Sequence, residues 1–564
     1  MRFRYAVAAG LSAALAASTG VLAPTSSAQP GARTDYLVLF KSTRADDAAR
    51  SAIARSGGRI TEVNAKIGYA YVSSDRSDFA ASMTRTGTVA GVAAERTIGS
   101  ARDPRPKARD VERVERERAS ASGHGRADAK PGRRGRQAVT PEPLAGLQWD
   151  MRQIDATATG SYAKDTGTKK VKVGIIDTGV DGSHPDIAAN FDKAGIRNFV
   201  TDMTDIDGPC EHPSCVDPVD EDDDGHGTHV ASTIGSPING LGVAGVAPNV
   251  SLLNIRAGQD SGYFFLQPTL QALTYAGDSG VDVVNMSFYI DPWLYNCVDN
   301  PADSPAEQAE QRTVRAATQR AVNYATHRGV LPVSAMGNEA TDLNSPTFDP
   351  TSPDYPVDAA KDRTVDNSCI TVPTETKGVV AVSSTGPSTR KAYYSNYGTE
   401  QTDVAAPGGD VYDTTDNHRD ARAGILAAYP AALAKANGDL NPDGTPNNEF
   451  VVRDCKGTVC AYYQYLQGTS MAAPHAVGVA ALVVSHNGKR DRSNGGLGLP
   501  TGKSQALLYK SAQPHACPQP RLFHYTRILV TGEVVEDAHR CEGPRSKNGF
   551  YGRGILNANA AVRH

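Results

Sequence analysis

Between Arg102 and Arg136 the chain carries 12 basic and 6 acidic residues and almost no large apolar side chain. Such a stretch cannot bury enough surface to offset the entropy of ordering it, so it reads as a disordered linker. The chain therefore has to fold as two bodies, one on each side. Its 564 residues divide into an export signal (1–28), a small unit (29–100), the linker with a maturation site (101–138) and a large α/β domain (139–564). The dibasic Arg133-Arg134 and Arg136 suit a protease cut, and a merely solvated basic linker is the equal alternative. Over the whole chain 58 basic residues face 62 acidic ones, a net −4, so no basic excess argues for nucleic acid.

Arg2 and Arg4, the apolar run Ala6 to Ala17 and the small residues Ser26 to Ala28 form the three regions of a secretory signal. The run is too short and Ala-rich to span a bilayer. All eight cysteines lie after residue 200, and an even count in an exported chain favours disulfides. The local pairs are Cys210/Cys215, Cys455/Cys460 and Cys517/Cys541, which leaves Cys297 with Cys369, although sequence alone does not fix connectivity. In the small unit, strands at Tyr36–Phe40, Ala70–Val72 and Val89–Ala93 and helices at Ala45–Arg55 and Ser77–Arg85 follow a split βαβ order. That order predicts a ferredoxin-like α+β fold.

Three motifs in the large domain carry chemistry. Val171 to Ile176 is an apolar run ending in Asp177-Thr-Gly, as for a buried parallel strand that delivers an acid at its C-terminal edge. Asp224-Gly-His226-Gly-Thr-His229 precedes a helical stretch, with glycines that permit close backbone approach. A metal pair at His226 and His229 would lack the Glu and the four-residue spacing of a zinc-protease helix. Gly468-Thr-Ser470-Met-Ala-Ala-Pro474-His475 runs into a thoroughly apolar helix. Each motif alone has a plainer reading, as helix cap or turn.

Together, in the order Asp, His, Ser, they resemble the signatures of the subtilisin-like serine proteases (subtilases, peptidase family S8). Supporting matches run from Gln148-Trp149 to Tyr551–Asn557. The resemblance implies a three-layer fold with a mostly parallel central sheet and a secreted serine endopeptidase made as a zymogen. It implies Ser470 as nucleophile, His226 as general base and Asp177 as its orienting acid. Asn338, at the end of Pro332–Gly337, would donate to the oxyanion with the Ser470 backbone N–H. Substrate would add as a strand along Gly258–Tyr263 and Asn285–Tyr289, touching Gly262, Ser287, Phe288, Tyr289 and Gly337. Phe288-Tyr289 departs from the aliphatic residue and Gly expected there, and the pair either shapes the specificity pocket or packs under the Cys297 loop.

The resemblance also implies a structural calcium, with Asp186 and Asn239 giving side-chain oxygens and Leu241 and Val243 their carbonyls. No organic cofactor is expected. Asp202 to Asp224 holds ten acidic and no basic residues, a local −10 that reads as a solvated loop, with a second calcium or basic substrate side chains as alternatives. The small unit resembles the family's inhibitory propeptide in position and element order. Expected partners are protein or peptide substrates and the chain's own propeptide, with no nucleic acid, no membrane after signal removal, and a monomeric state. An esterase on the same triad and a binding protein on the same scaffold are the rival readings.

Overall fold

Seven parallel strands form the central sheet of the computed structural model, which describes residues 33–43, 47–95, 140–356, 359–491 and 496–563. The expected signal, the linker and the Arg133-Arg134 dibasic site lie outside the described residues. Across the sheet the strands run Val404–Pro407, Val380–Thr385, Leu331–Ala335, Val283–Met286, Lys172–Ile176, Ser251–Arg256 and Arg197–Asn198. Every neighbouring pair is parallel. Their side chains are buried almost throughout, because helices cover both faces of a parallel sheet.

After Lys172–Ile176 the chain first builds strands on one side and then crosses to Val283–Met286 on the other. Strand order therefore reverses at the C-terminal end of Lys172–Ile176, the place where open α/β sheets hold their sites. One face packs on the His226–Gly235 and Thr469–Asn487 helices. The Thr469–Asn487 helix is apolar all round and buried from Thr469 to Val484, as a helix in the middle of a core must be. The other face packs on Leu266–Asp278 and Pro305–His327. The second of these starts on a capping box: Ser304 Oγ accepts from Glu307 N (3.3 Å), Glu307 Oε2 accepts from Ser304 N (2.7 Å), and Pro305 stands in the first turn.

The small unit has the expected element order, strands Thr34–Phe40, Arg59–Asn64, Tyr69–Ser74 and Val89–Glu95 with helices Asp47–Arg55 and Phe79–Thr86. Its four-stranded antiparallel sheet places Thr34–Phe40 beside Tyr69–Ser74 and Val89–Glu95. Period-two alternation sorts the side chains. Tyr36, Val38 and Phe40 face the unit's own helices, whereas Leu37, Leu39, Tyr69 and Tyr71 pack on the helices of the large domain. All four expected disulfides form: Cys210–Cys215, Cys297–Cys369, Cys455–Cys460 and Cys517–Cys541. No helix among the described residues is long and apolar enough to cross a membrane.

Candidate active site

Three adjacent strands deliver the polar groups of the site from their C-terminal ends. Asp177 follows Lys172–Ile176, Ser287 follows Val283–Met286, and Asn338 lies just beyond Leu331–Ala335. Asp177 is fully buried, and its Oδ1 accepts from His226 Nδ1 (2.7 Å) and from Thr178 N (2.8 Å). Those bonds set the imidazole tautomer with Nδ1 protonated. His226 opens its helix after Gly225, whose φ of +89° suits glycine. A Cβ on Gly227 would lie 2.0 Å from the Gly179 carbonyl oxygen, so the helix can approach the Asp177 turn this closely only without a side chain there.

Ser470 lies in the first turn of Thr469–Asn487, which packs against the His226 helix. Pro474 brings no N–H to the Ser470 carbonyl, which accepts instead from Ser287 Oγ (3.0 Å). Asn285 Nδ2 in turn donates to Ser287 Oγ (2.9 Å). The Ser470 hydroxyl points at the Ser287 carbonyl (3.4 Å). Asn338 Oδ1 accepts from both Thr469 N and Thr469 Oγ1 (2.9 Å each), and Gly337 N donates to Thr469 Oγ1 (2.9 Å). With its oxygen engaged by Thr469, the Asn338 side chain can act elsewhere only through its NH₂ donors.

The expected substrate strand Gly258–Tyr263 is instead a turn. Gly262 N donates to Gln259 O and Gln259 N to Tyr263 O (2.9 Å each), while Asp207 Oδ1 takes Ser261 N (2.9 Å) and Ser261 Oγ (2.7 Å). Hydrogen bonds from the acidic segment hold this turn, and sequence pattern carries no signal for them. Phe288 stacks on Phe264 with ring centroids 4.0 Å apart. Tyr289 packs against the cluster around Cys297 and donates to Asp354 Oδ2 (2.5 Å). His229 spends Nε2 on the Ile425 and Gln464 carbonyls (3.0 and 3.2 Å), and burial pulls its pKa down to about 3.

Asp202 to Asp224 is a loop that is solvated only in part: Glu211, Glu221 and Asp223 are exposed, whereas Asp202, Asp217 and Asp222 are buried. The buried Arg256 bonds Asp217 Oδ2 and, outside the segment, Asp260 Oδ1 (2.6 Å each). A cation inside the apolar Ser251–Arg256 strand requires such partners, and that was the legible signal. Oxygens of Asp202, Glu211, Asp217 and Asp260 lie within 4.8 Å of one another. Burial pushes Asp202 up to about 6 and Asp260 up to about 8. Asp222, missed in the sequence, ties the Asp177–Thr178 turn to the start of the His226 helix. It accepts from Thr178 Oγ1 (3.0 Å), Gly225 N (3.0 Å), Thr228 N (2.8 Å) and Thr228 Oγ1 (2.5 Å).

Asp186 and the Asn239–Val243 loop meet as expected, among hydrogen-bond donors. Asp186 Oδ1 accepts from Asn239 Nδ2 (3.0 Å) and Oδ2 from Val243 N (3.1 Å) and Tyr463 OH (3.2 Å). Leu241 N donates to Asn239 Oδ1 (2.8 Å), and Lys456 Nζ to the Asn239 carbonyl (2.6 Å). Glu142, a further missed residue, accepts from Gly240 N (3.1 Å) through Oε1, while its buried Oε2 has no hydrogen-bond partner. Burial, reinforced by the Glu142 charge, pushes Asp186 up to about 8.

Residues 168–525 match the model of the Subtilase family. The chain is 30% identical over 327 residues to a thermophilic serine proteinase of Bacillus sp. (strain AK1), a match covering 57% of this chain and 55% of that protein. It is 27% identical over 352 residues to thermitase of Thermoactinomyces vulgaris, covering 62% and 86% of the two. Its fold is similar to the epidermin leader peptide processing serine protease of Staphylococcus aureus, with a TM-score of 0.58 at 20% identity over 94% of this chain and 98% of that one. Fervidolysin from Fervidobacterium pennivorans aligns with a TM-score of 0.53 at 18% identity over 95% of this chain and 61% of that one. The chain belongs to the subtilase family of serine-type endopeptidases.

Proposed function

We propose that this chain is an exported serine endopeptidase, made as a precursor, that hydrolyses peptide bonds through Asp177, His226 and Ser470. The observation that carries the reading is the buried 2.7 Å bond between Asp177 and His226 at the strand-order reversal, next to a helix that presents Ser470. In this mechanism His226 Nε2 takes the Ser470 proton as the hydroxyl attacks the peptide carbonyl. It then hands the proton to the leaving amine, giving an acyl-enzyme that water hydrolyses by the same route in reverse. Asp177 stabilises the imidazolium that forms between the two transfers. Asn338 Nδ2 and Ser470 N–H hold the negative oxygen, each donor being worth about 10²–10³ in kcat in such sites. Ser287, Phe288 and Gly337 would line the substrate path, with Gly262 and Tyr289 held in their own turn and cluster.

The N-terminal unit would serve as the intramolecular inhibitor. Its support is the sheet face laid on two helices of the large domain, with Glu62 Oε2 accepting from Gln267 Nε2 (3.0 Å) and Gln271 Nε2 (2.8 Å). Structural calcium has two donor sets. Asp186, Asn239 and the carbonyls of Leu241 and Val243 form one, joined by Glu142, whose unpartnered buried oxygen beside a second buried carboxylate suits a hard cation. Asp202, Glu211, Asp217 and Asp260 form the other.

Labelling with a fluorophosphonate tests the central reading. The folded, mature protein should take up one adduct, on Ser470, and should cleave casein. The Ser470→Ala variant should lose kcat by about 10⁶, the loss known for subtilisin, and accumulate uncut precursor. No adduct on Ser470 in the wild-type protein would refute the nucleophile assignment.

A further inference from the structure

Two buried polar groups beside the nucleophile take no part in the triad. His475 lies five residues after Ser470 on the same helix, and Asp150 lies on the short Trp149–Gln153 helix. His475 is fully buried and Asp150 is 1% exposed. The imidazole Nε2 stands 3.1 Å from Asp150 Oδ2, and Nδ1 stands 2.8 Å from the Met471 carbonyl oxygen.

A carbonyl oxygen only accepts, so Nδ1 must carry a hydrogen. On the other side, a lone pair on Nε2 facing a carboxylate oxygen would be repulsive, so a second hydrogen must lie between Nε2 and Oδ2. His475 and Asp150 therefore share a buried hydrogen while the other ring N–H is committed to Met471.

We propose that Asp150 and His475 form a positioning pair for the nucleophile. The proton held against Asp150 keeps the other ring N–H on the Met471 carbonyl, and so fixes the turn that aims Ser470. Side chains already brace the rest of that turn: Asn338 holds Thr469, and Ser287 holds the Ser470 carbonyl that Pro474 leaves without its helical donor. His475 holds the next carbonyl along. Neither Asp150 nor His475 reaches substrate in this reading, so both act through Ser470. The proposal rests on Ser470 being the nucleophile.

The experiment compares wild type with Asp150→Leu, a change that keeps the branched shape and removes the acceptor at Nε2. Asp150→Asn, whose amide can turn its NH₂ group to Nε2, should keep most of the rate. In Asp150→Leu the ring loses its anchor, and its Nδ1–H bond to Met471 loses alignment. Because small misplacements at a reacting atom reach about 100-fold in rate, fluorophosphonate labelling and kcat should fall by about 10- to 100-fold, with KM changed less than about twofold. Equal labelling rates would overturn the proposal, as would a loss confined to KM. A wild-type protein that takes no label at Ser470 would instead overturn the nucleophile reading itself. A second measurement needs no change at the pair. In the full chain carrying Ser470→Ala, nitrogen-15 spectra of labelled histidine should show His475 Nδ1 protonated and hydrogen-bonded. A bare Nδ1 there would refute the pair, even if Asp150→Leu failed to fold.

Discussion

Raising the pH should loosen the N-terminal unit from the helices it covers, with Glu95 setting the size of the effect. Glu95 ends the Val89–Glu95 strand, and its Oε1 accepts from Gln267 N (3.1 Å), a backbone donor of the Leu266–Asp278 helix. Burial pushes its pKa from 4.5 up to about 7; bonds from Tyr71 and Gln267 oppose the rise, and the nearby Glu310 and Asp35 carboxylates add to it. In an undocked unit the carboxyl is solvated and titrates near its ordinary value. The docked form therefore holds its proton more tightly. Docking is at full strength below about pH 4.5, weakens by up to tenfold per pH unit as pH rises, and levels off above about 7. The span corresponds to about 3 kcal/mol, on the order of 10²-fold in the docking equilibrium. Glu62 on the two glutamine amides, the Lys66–Asp278 ion pair and Arg320 Nη1 on the Ile67 carbonyl (3.2 Å) hold the interface at the plateau. The assay is hydrogen exchange on the full chain carrying Ser470→Ala, which prevents self-cleavage. Opening free energies of amides in Thr34–Phe40 and Tyr69–Ser74 are compared at pH 5 and pH 8 after correction for intrinsic rates. Protection should be lower at pH 8, and Glu95→Gln should remove most of the difference. Equal protection at both pH values, or a Glu95→Gln variant that keeps the full pH dependence, would refute the reasoning.

Asp222→Ala should unfold the protein more easily by about 3 kcal/mol, read from urea midpoints, because four donors lose a buried charged acceptor. The same variant should also lose kcat, since Thr178 and the His226 helix are no longer tied; an unchanged midpoint would remove Asp222 from the account. Chelation should lower the thermal midpoint of the mature protein, and Asp202→Asn should reduce the number of calcium ions bound at equilibrium by one. An ion count unchanged by Asp202→Asn would leave Arg256 as the sole cation of that cluster. Replacing Cys297 and Cys369 together by Ala opens a closure across 72 residues and should remove about 4 kcal/mol of unfolding free energy. Loss of the Cys455–Cys460 link, which closes only a hairpin separation of 5, should cost less in the same assay.

Strand and helix placement in the N-terminal unit was legible because period-two and period-3.6 patterns are local. The parallel sheet and Asp177 at its edge were legible for the same reason, an apolar run ending in an acid and a Gly turn. The Gly258–Tyr263 segment was misjudged as a strand. Extended backbone there would compete with hydrogen bonds from Asp207, which lies more than fifty residues earlier. Burial of part of the acidic segment was not legible from charge counting, which sees ten like charges and not that Asp217 bonds the buried Arg256.

Residue types, their order and their local periodicity therefore determined the family and the parallel sheet with Asp177 at its edge. Tertiary structure alone decided which groups are paired. Asp222 on the Thr178 turn, Glu142 on the Gly240 amide and Asp150 on His475 bring together residues 44, 98 and 325 positions apart. Such partners are chosen by burial, since a polar group removed from water must find its complement wherever the fold places one.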